Sequence, residues 1–177
     1  MNKLTELANK YNCDKGTVAY EAHGYTEEYE KIIPERGKYG LLEIGIWHGD
    51  SLRMWNEYNP DLYIDAIDID PNVRHYIQEN NRIHIYIGDQ SEPEFLDRVT
   101  YLRKYNFIID DGSHNTRDII NSFEFLWSCL DDRGYYCIED LHASQANRTE
   151  IYNAIRKRVE KKQMKWYLND KLLIIEK

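Results

Sequence analysis

Along the chain, short unbroken apolar runs alternate with stretches in which apolar residues recur every three or four positions. "YGLLEIGI" (39–46), "DLYIDAIDID" (61–70), "RIHIYIGD" (82–89), "YNFIIDD" (105–111) and "GYYCIED" (134–140) have the length and the β-branched or aromatic content of strands. Between them, 50–58, 71–80, 92–103 and 115–130 carry helical spacing. Strands and helices alternating at this interval predict a parallel sheet covered by helices on both faces. Further on, the pattern predicts a helix over about 148–162, then "MKWYL" and "KLLIIEK" on either side of "ND". Two polar residues between apolar runs suit a tight turn, so the sheet should end in an antiparallel hairpin.

Helix starts are marked by capping chemistry. Pro71 follows Asp70, Ser91 pairs with Glu94 in a capping-box spacing, and Asn147 pairs with Glu150. Residues 1–38 differ from the rest, with short helices "KLTELANKY" and "TEEYEKII" around the polar stretch "NCDKGTVAYEAHGY". They read as a helical lid beside the substrate path, with the core running from 39 to 177. A length of 177 residues fits one domain.

Composition narrows the picture. The chain is 42% hydrophobic, 31% charged and 13% aromatic, which is globular rather than disordered. Its net charge of -8 comes from dispersed acids and argues against a nucleic-acid partner. The basic group Arg156, Lys157, Arg158, Lys161 and Lys162 reads as the solvated face of a late helix rather than a phosphate-binding patch. Cys13, Cys129 and Cys137 have neither an even count nor metal-like spacing, which points to a reducing compartment. No apolar run approaches membrane-spanning length and the first ten residues lack a signal pattern, so a soluble cytoplasmic protein is expected. The 15 tyrosines could serve carbohydrate stacking, but genomic base bias accounts for them more simply.

Open parallel sheets bind ligands outside the carboxyl ends of their strands. The first strand ends in "EIGIWHGDS", where Glu43, Gly45 and Gly49 form E-x-G-x-x-x-G, a loop whose backbone can turn sharply and approach a ligand ahead of a helix N-terminus. Trp47 breaks the tighter glycine spacing of nicotinamide dinucleotide sites. Asp68 can accept ribose hydroxyls, Asp70 more naturally caps the next helix, and Asp89 can accept an exocyclic amine such as adenine's. Any one of these acids could be a cap or a solvated loop charge; at successive strand ends they describe a nucleoside-shaped site. Asp111 and His114 end the fourth strand, Glu139 and Asp140 the fifth. Three carboxylates on one rim repel, and a bound cation would relieve that conflict. Oxygen ligands suit Mg2+ or Ca2+, and an imidazole beside the ion can take a proton at neutral pH.

On these motifs the chain resembles class I S-adenosylmethionine-dependent methyltransferases. More narrowly, it is similar to the metal-dependent sugar O-methyltransferases of the macrocin and mycinamicin type, which act on deoxysugars. The likeness runs from "LLEIGIWHGDS" through "IDAIDIDP", "GDQSEP" and "IIDDGSHNTRDIINSFEFLWSCL" to "GYYCIEDLH", with "DKGT" and "HGYTEEYE" before it. The pairing of "DDGSH" with "IEDLH" is its specific part.

The resemblance implies a Rossmann-like α/β fold with a mostly parallel seven-stranded sheet and a C-terminal antiparallel hairpin. It implies S-adenosylmethionine and Mg2+ as cofactors and a sugar hydroxyl, such as that of rhamnose in a glycan, as acceptor. Glu43, Gly45 and Gly49 would surround the methionine part of the cofactor, Asp68 the ribose, Asp89 with Gln90 the adenine, and Asp110 would face the cofactor or accept backbone bonds. Asp111, Glu139 and Asp140 would hold the ion, with His114 as base next to Asp111. His142, Lys15 and His23, with Asp14 nearby, would touch substrate. The long N-terminal region of the antibiotic-tailoring enzymes has no counterpart here, and a homo-oligomer is compatible with the reading. Rival readings are a catechol-type O-methyltransferase, a nicotinamide oxidoreductase and a non-catalytic nucleoside-binding module; "DGSH" favours the sugar enzyme.

Overall fold

A computed structural model describes residues 2–160, 163–167 and 170–177. Among them, seven strands form one sheet: β1 (Gly40–Ile44), β2 (Tyr63–Asp68), β3 (Ile83–Ile87), β4 (Tyr105–Asp110), β5 (Leu130–Ile138), β6 (Met164–Tyr167) and β7 (Leu172–Glu176). The order is β3-β2-β1-β4-β5-β7-β6. The first five strands are parallel, and β7 inserts antiparallel between β5 and β6. Strand order reverses between β1 and β4, where the loops after the two strands diverge and leave a crevice.

The strands read as unbroken apolar runs because both faces are covered. Leu41, Ile109 and Ile174 face one layer, while their neighbours Leu42, Ile108 and Ile175 face the other. The first layer holds α1 (Lys3–Lys10), α2 (Thr26–Tyr29) and α3 (Asp50–Tyr58). The second holds α4 (Pro93–Thr100), α5 (Thr116–Leu126) and α6 (Arg148–Ile155). The segment expected to be a lid is therefore part of the core: Leu4, Ala8, Tyr25 and Tyr29 are fully buried against α3 and the sheet.

Local details depart from expectation at several ends. Only a 3-10 turn over Pro71–His75 forms where a helix to residue 80 was predicted, although Asp70 caps it through Asn72 N. The Ser91 capping box does not form; Pro93 starts α4 with Glu92 at the cap, and Ser91 N instead donates to Asp89. Asn147 does cap α6, accepting from Glu150 N. Asn169 of the "ND" turn and Leu168 of "MKWYL" lie outside the described residues, as do Lys161 and Lys162 of the basic group. No described helix is long and apolar enough to cross a membrane.

Asp65 sits in β2 with no exposure, and a buried carboxylate is stable only when its partners are good. Arg103 donates to it, as does the Tyr105 hydroxyl at 2.6 Å. Tyr105→Phe removes that bond to a charged acceptor and is expected to cost about 1.5–3 kcal/mol. Urea denaturation checks this: the midpoint should fall with an unchanged slope.

Candidate active site at the carboxyl edge of the sheet

Three non-glycine residues with left-handed backbone stand at the carboxyl edge. After β1, Trp47 lies in the left-handed region (φ 46°), as do His114 after β4 (φ 54°) and Asp140 after β5 (φ 50°). Such conformations cost energy in residues with side chains and persist where surroundings enforce them. Asp68 supplies part of that enforcement. Its Oδ2 accepts from Ile46 N (2.8 Å) and Trp47 N (3.2 Å), and its Oδ1 accepts from Asp70 N (2.9 Å). A carboxylate has about four acceptor sites, so ribose hydroxyls could still be accommodated.

The glycines of this loop have separate reasons. A Cβ at Gly45 would lie 2.0 Å from the Asp111 carbonyl oxygen, so glycine lets the ends of β1 and β4 approach. Gly49 caps α3 in the left-handed region and packs against Ile77.

Two hollows open here, sharing Gly45, Asp68 and Gly112. One, of about 200 Å³, is lined by Ile69, Gly88, Asp89 and Gln90. The other, of about 480 Å³, is lined by Asp14, Trp47, Asp111, His114 and Asp140. Asp68 thus stands at the junction of the two hollows and Asp89 in the smaller one.

Beneath the larger hollow lies a buried charge cluster. The Lys15 ammonium, 1% exposed, donates to Asp111 and to Glu139 Oε2 (2.8 Å), with Glu43 Oε1 at 3.6 Å. Burial alone would depress its pKa, but Asp111, Glu139 and Glu43 overcome that and hold it well above the usual lysine range. Glu43 also accepts from Trp55 Nε1 (3.1 Å), and Glu139 accepts from the Tyr29 hydroxyl. Burial raises the carboxyls of Glu43, to about 7, and of Asp111 and Glu139, with Lys15 opposing the rise in all three.

These partners bear on several residues with expected roles. Glu43 and Glu139 are buried and do not line the hollows, so neither a methionine contact for Glu43 nor an ion contact for Glu139 is seen in this geometry. Lys15 lines the hollow, and its ammonium is engaged with the carboxylates of Asp111 and Glu139. Asp110 also turns inward. Burial lifts its pKa to about 6, against hydrogen bonds from Ser122 Oγ (2.7 Å) and Gln90 Nε2 (3.0 Å). Gln90 in turn accepts from Ser113 N (2.9 Å), so it ties the loop after β4 to the end of β3.

Asp111, His114 and Asp140 do come together, each offering a donor atom within 4.8 Å of the others. His114 Nε2 lies 3.9 Å from Asp140 Oδ2, and its buried Nδ1 has no hydrogen-bond partner among the described residues. Asp140 accepts from the Tyr25 hydroxyl (2.6 Å), and His23 and His142 flank it. Burial tends to raise the Asp140 carboxyl, but Tyr25, His23 and His114 bring it below the usual range. Burial lowers the His142 pKa despite Asp140.

Tyr25, Tyr29 and Trp55 were not anticipated as organisers of the acids. The spacing of the tyrosines in "YTEEY" was the available signal, since residues four apart share a helix face.

Two outcomes follow from this charge balance. Because the folded Glu43 carboxyl titrates near 7 rather than 4.5, the folded state holds a proton that the unfolded chain has released. The associated stability is present below about 4.5 and lost as pH rises through about 7. Glu43→Gln should flatten the pH–stability curve over that interval by about 3 kcal/mol, measured by denaturant melts across the range. Lys15→Met leaves buried acids without their cation and should cost about 3–5 kcal/mol at neutral pH, partly recovered on acidification.

A methyltransferase-domain family profile matches residues 42–141. The chain is 32% identical over 151 residues to an 8-demethyl-8-alpha-L-rhamnosyl tetracenomycin-C 2'-O-methyltransferase of Streptomyces olivaceus, covering 80% of this chain and 38% of that one. It is 33% identical over 150 residues to a mycinamicin VI 2''-O-methyltransferase of Micromonospora griseorubida, covering 78% and 36%. The chain therefore spans less than two fifths of the length of these relatives. A solved structure of MycE methyltransferase from the mycinamycin biosynthetic pathway, in complex with Mg, SAH and mycinamycin VI, superposes with a TM-score of 0.77 at 26% identity, over 99% of this chain and 54% of that one. With the family profile spanning more than half its length and the sheet order and crevice agreeing, this chain belongs to the methyltransferase-domain family.

Proposed function

We propose that this chain binds S-adenosylmethionine and transfers its methyl group to a sugar hydroxyl, with Asp111 and Asp140 holding a divalent cation, Mg2+, and His114 acting as base. The observation that carries the reading is the meeting of Asp111, His114 and Asp140 beside a hollow that continues past Asp68 to Asp89. The names of the two relatives, a rhamnosyl and a mycinamicin O-methyltransferase, support a glycoside acceptor. The ion and the nucleoside product named with MycE support the cofactors.

The residues present fit both groups. Lys15 neutralises only part of the charge of Glu43, Asp111, Glu139 and Asp140, so Asp111 and Asp140 at the hollow retain attraction for a cation. Asp68 and Asp89 offer acceptors for ribose hydroxyls and a base amine. When bound, S-adenosylmethionine supplies an electrophilic methyl carbon with a neutral thioether as leaving group, and the cation supplies positive charge that eases ionisation of a hydroxyl.

The protein's part is to orient the hydroxyl and remove its proton. His114 Nε2 faces the hollow side of Asp140 at a distance too long for a hydrogen bond, so it is free to accept that proton. Asp140 Oδ2 then stabilises the imidazolium, and Tyr25 holds the carboxylate in place. Lys15 clamps Asp111 from the interior, fixing its rotamer. Three buried free thiols fit a reducing, cytoplasmic setting.

The test incubates the protein with S-adenosylmethionine, Mg2+ and a panel of free sugars, glycosides and aromatic diols, with mass spectrometry reading one added methyl group. Transfer to aromatic diols alone would replace the sugar by a catechol-type acceptor. Calorimetric binding of NAD but not S-adenosylhomocysteine would sink the reading altogether. His114→Ala is expected to lower the transfer rate by about 100- to 10,000-fold while leaving Mg2+ and S-adenosylhomocysteine affinities unchanged. Loss of Mg2+ affinity with the rate would instead make His114 an ion ligand.

A further inference from the structure

Asp140 presents its two carboxylate oxygens to two different groups. Oδ2 looks toward His114, on the side of Asp111. Oδ1 lies 3.5 Å from His23 Nε2 and 3.9 Å from His142 Nδ1, and the donor atoms of His23, Asp140 and His142 all fall within 4.8 Å of one another. An ion with bonds of about 2.0–2.1 Å in tetrahedral array spaces its donors roughly 3.3–3.4 Å apart. Small side-chain movements would bring these to that spacing.

The group is also braced as ion sites are. The buried Tyr25 hydroxyl donates to Asp140 Oδ1 and accepts from Asp140 N (3.3 Å), fixing the carboxylate from behind as outer-shell partners do. The Tyr25 ring stacks on His23 (centroids 5.1 Å, 25° between planes), and His23 N is anchored to the Asp14 carbonyl (2.7 Å). His142, its side chain 41% exposed, stands edge-on to His23 and leaves access from solvent.

We infer that His23, His142 and Asp140 Oδ1 form a second cation site, which takes a late first-row divalent ion such as Zn2+ or Co2+. Two imidazoles and one carboxylate suit such ions, whereas Mg2+ and Ca2+ prefer oxygen ligands throughout. His23 comes from the segment before β1 and His142 from the loop after β5, so an ion here ties those two segments together. Sharing Asp140, the site opposes the one on the Asp111 side. A dication at the imidazoles competes for the carboxylate and repels a second dication, so occupancy of either weakens the other, by reciprocal amounts.

The test uses the full chain after chelation, with neither acceptor nor S-adenosylmethionine, so its outcome is independent of the methyl-transfer reading. Co2+ is titrated while visible absorption and bound metal are measured. The expected result is one tightly held Co2+ in four- or five-coordinate geometry, whose binding is weakened but not abolished by excess Mg2+. His142→Ala and, separately, His23→Gln should each weaken Co2+ binding by more than about 10-fold, while Asp111→Asn retains it. The exposed position of His142 keeps that variant folded, as a thermal melt would verify. In the same protein, Zn2+ should weaken Mg2+ binding, read by calorimetry. The site is disproved if no Co2+ is retained, or if binding survives both histidine variants and is lost in Asp111→Asn.

Discussion

The buried ammonium of Lys15 is the constraint on which the carboxyl edge of this sheet depends. Removing an ammonium from water costs several kcal/mol, and so does each carboxylate taken with it. At an effective dielectric near 20, a pair about 4 Å apart recovers roughly 4 kcal/mol. One partner does not secure such a burial, and Lys15 has Asp111, Glu139 and Glu43, which come from the ends of β4, β5 and β1. A single side chain from the segment before β1 therefore cross-links the ends of three strands. Tyr29 and Trp55 occupy further acceptor sites of Glu139 and Glu43, so the acids are held by neutral donors as well as by charge.

This interior clamp explains why strain can persist above it. Trp47, His114 and Asp140 adopt left-handed backbone conformations at the ends of β1, β4 and β5, the same strands that Lys15 joins. With their last residues pinned from below and Asp68 bonded to the Ile46 and Trp47 amides, the loops cannot relax into ordinary extended geometry. The strain aims side chains into the hollows: Trp47, His114 and Asp140 all line the larger one.

Much of this was legible in the residues. The period of apolar positions is enough for the sheet, because strands covered on both faces must be apolar throughout, as Leu41–Leu42 and Ile108–Ile109 are. The DDGSH and IEDLH ends were readable because acids and imidazole at successive strand ends are placed together by the parallel topology alone. What was not readable is which acids face outward. Glu139 and Asp140 are adjacent in sequence, and neighbouring residues at a strand end point in opposite directions; Asp140, with left-handed backbone, lines the hollow, and Glu139 is buried. The partners of Lys15 were equally hidden, since nothing within "DKG" announces Asp111 and Glu139 more than ninety residues away.

Lys15 also divides the acids by role. Glu43 and Glu139 are spent on the interior cation, and Asp111 is shared, while Asp140 is left to Tyr25 and the surrounding imidazoles. Were the lysine absent, four carboxylates would converge with no fixed counter-charge, and crowding would put protons on some of them at neutral pH. By satisfying the deeper pair, the lysine confines further cation attraction to the two carboxylates that border the hollow. The segment before β1 therefore contributes to the chemistry of the edge from beneath as well as along the hollow: through Lys15 it sets which oxygens remain available there.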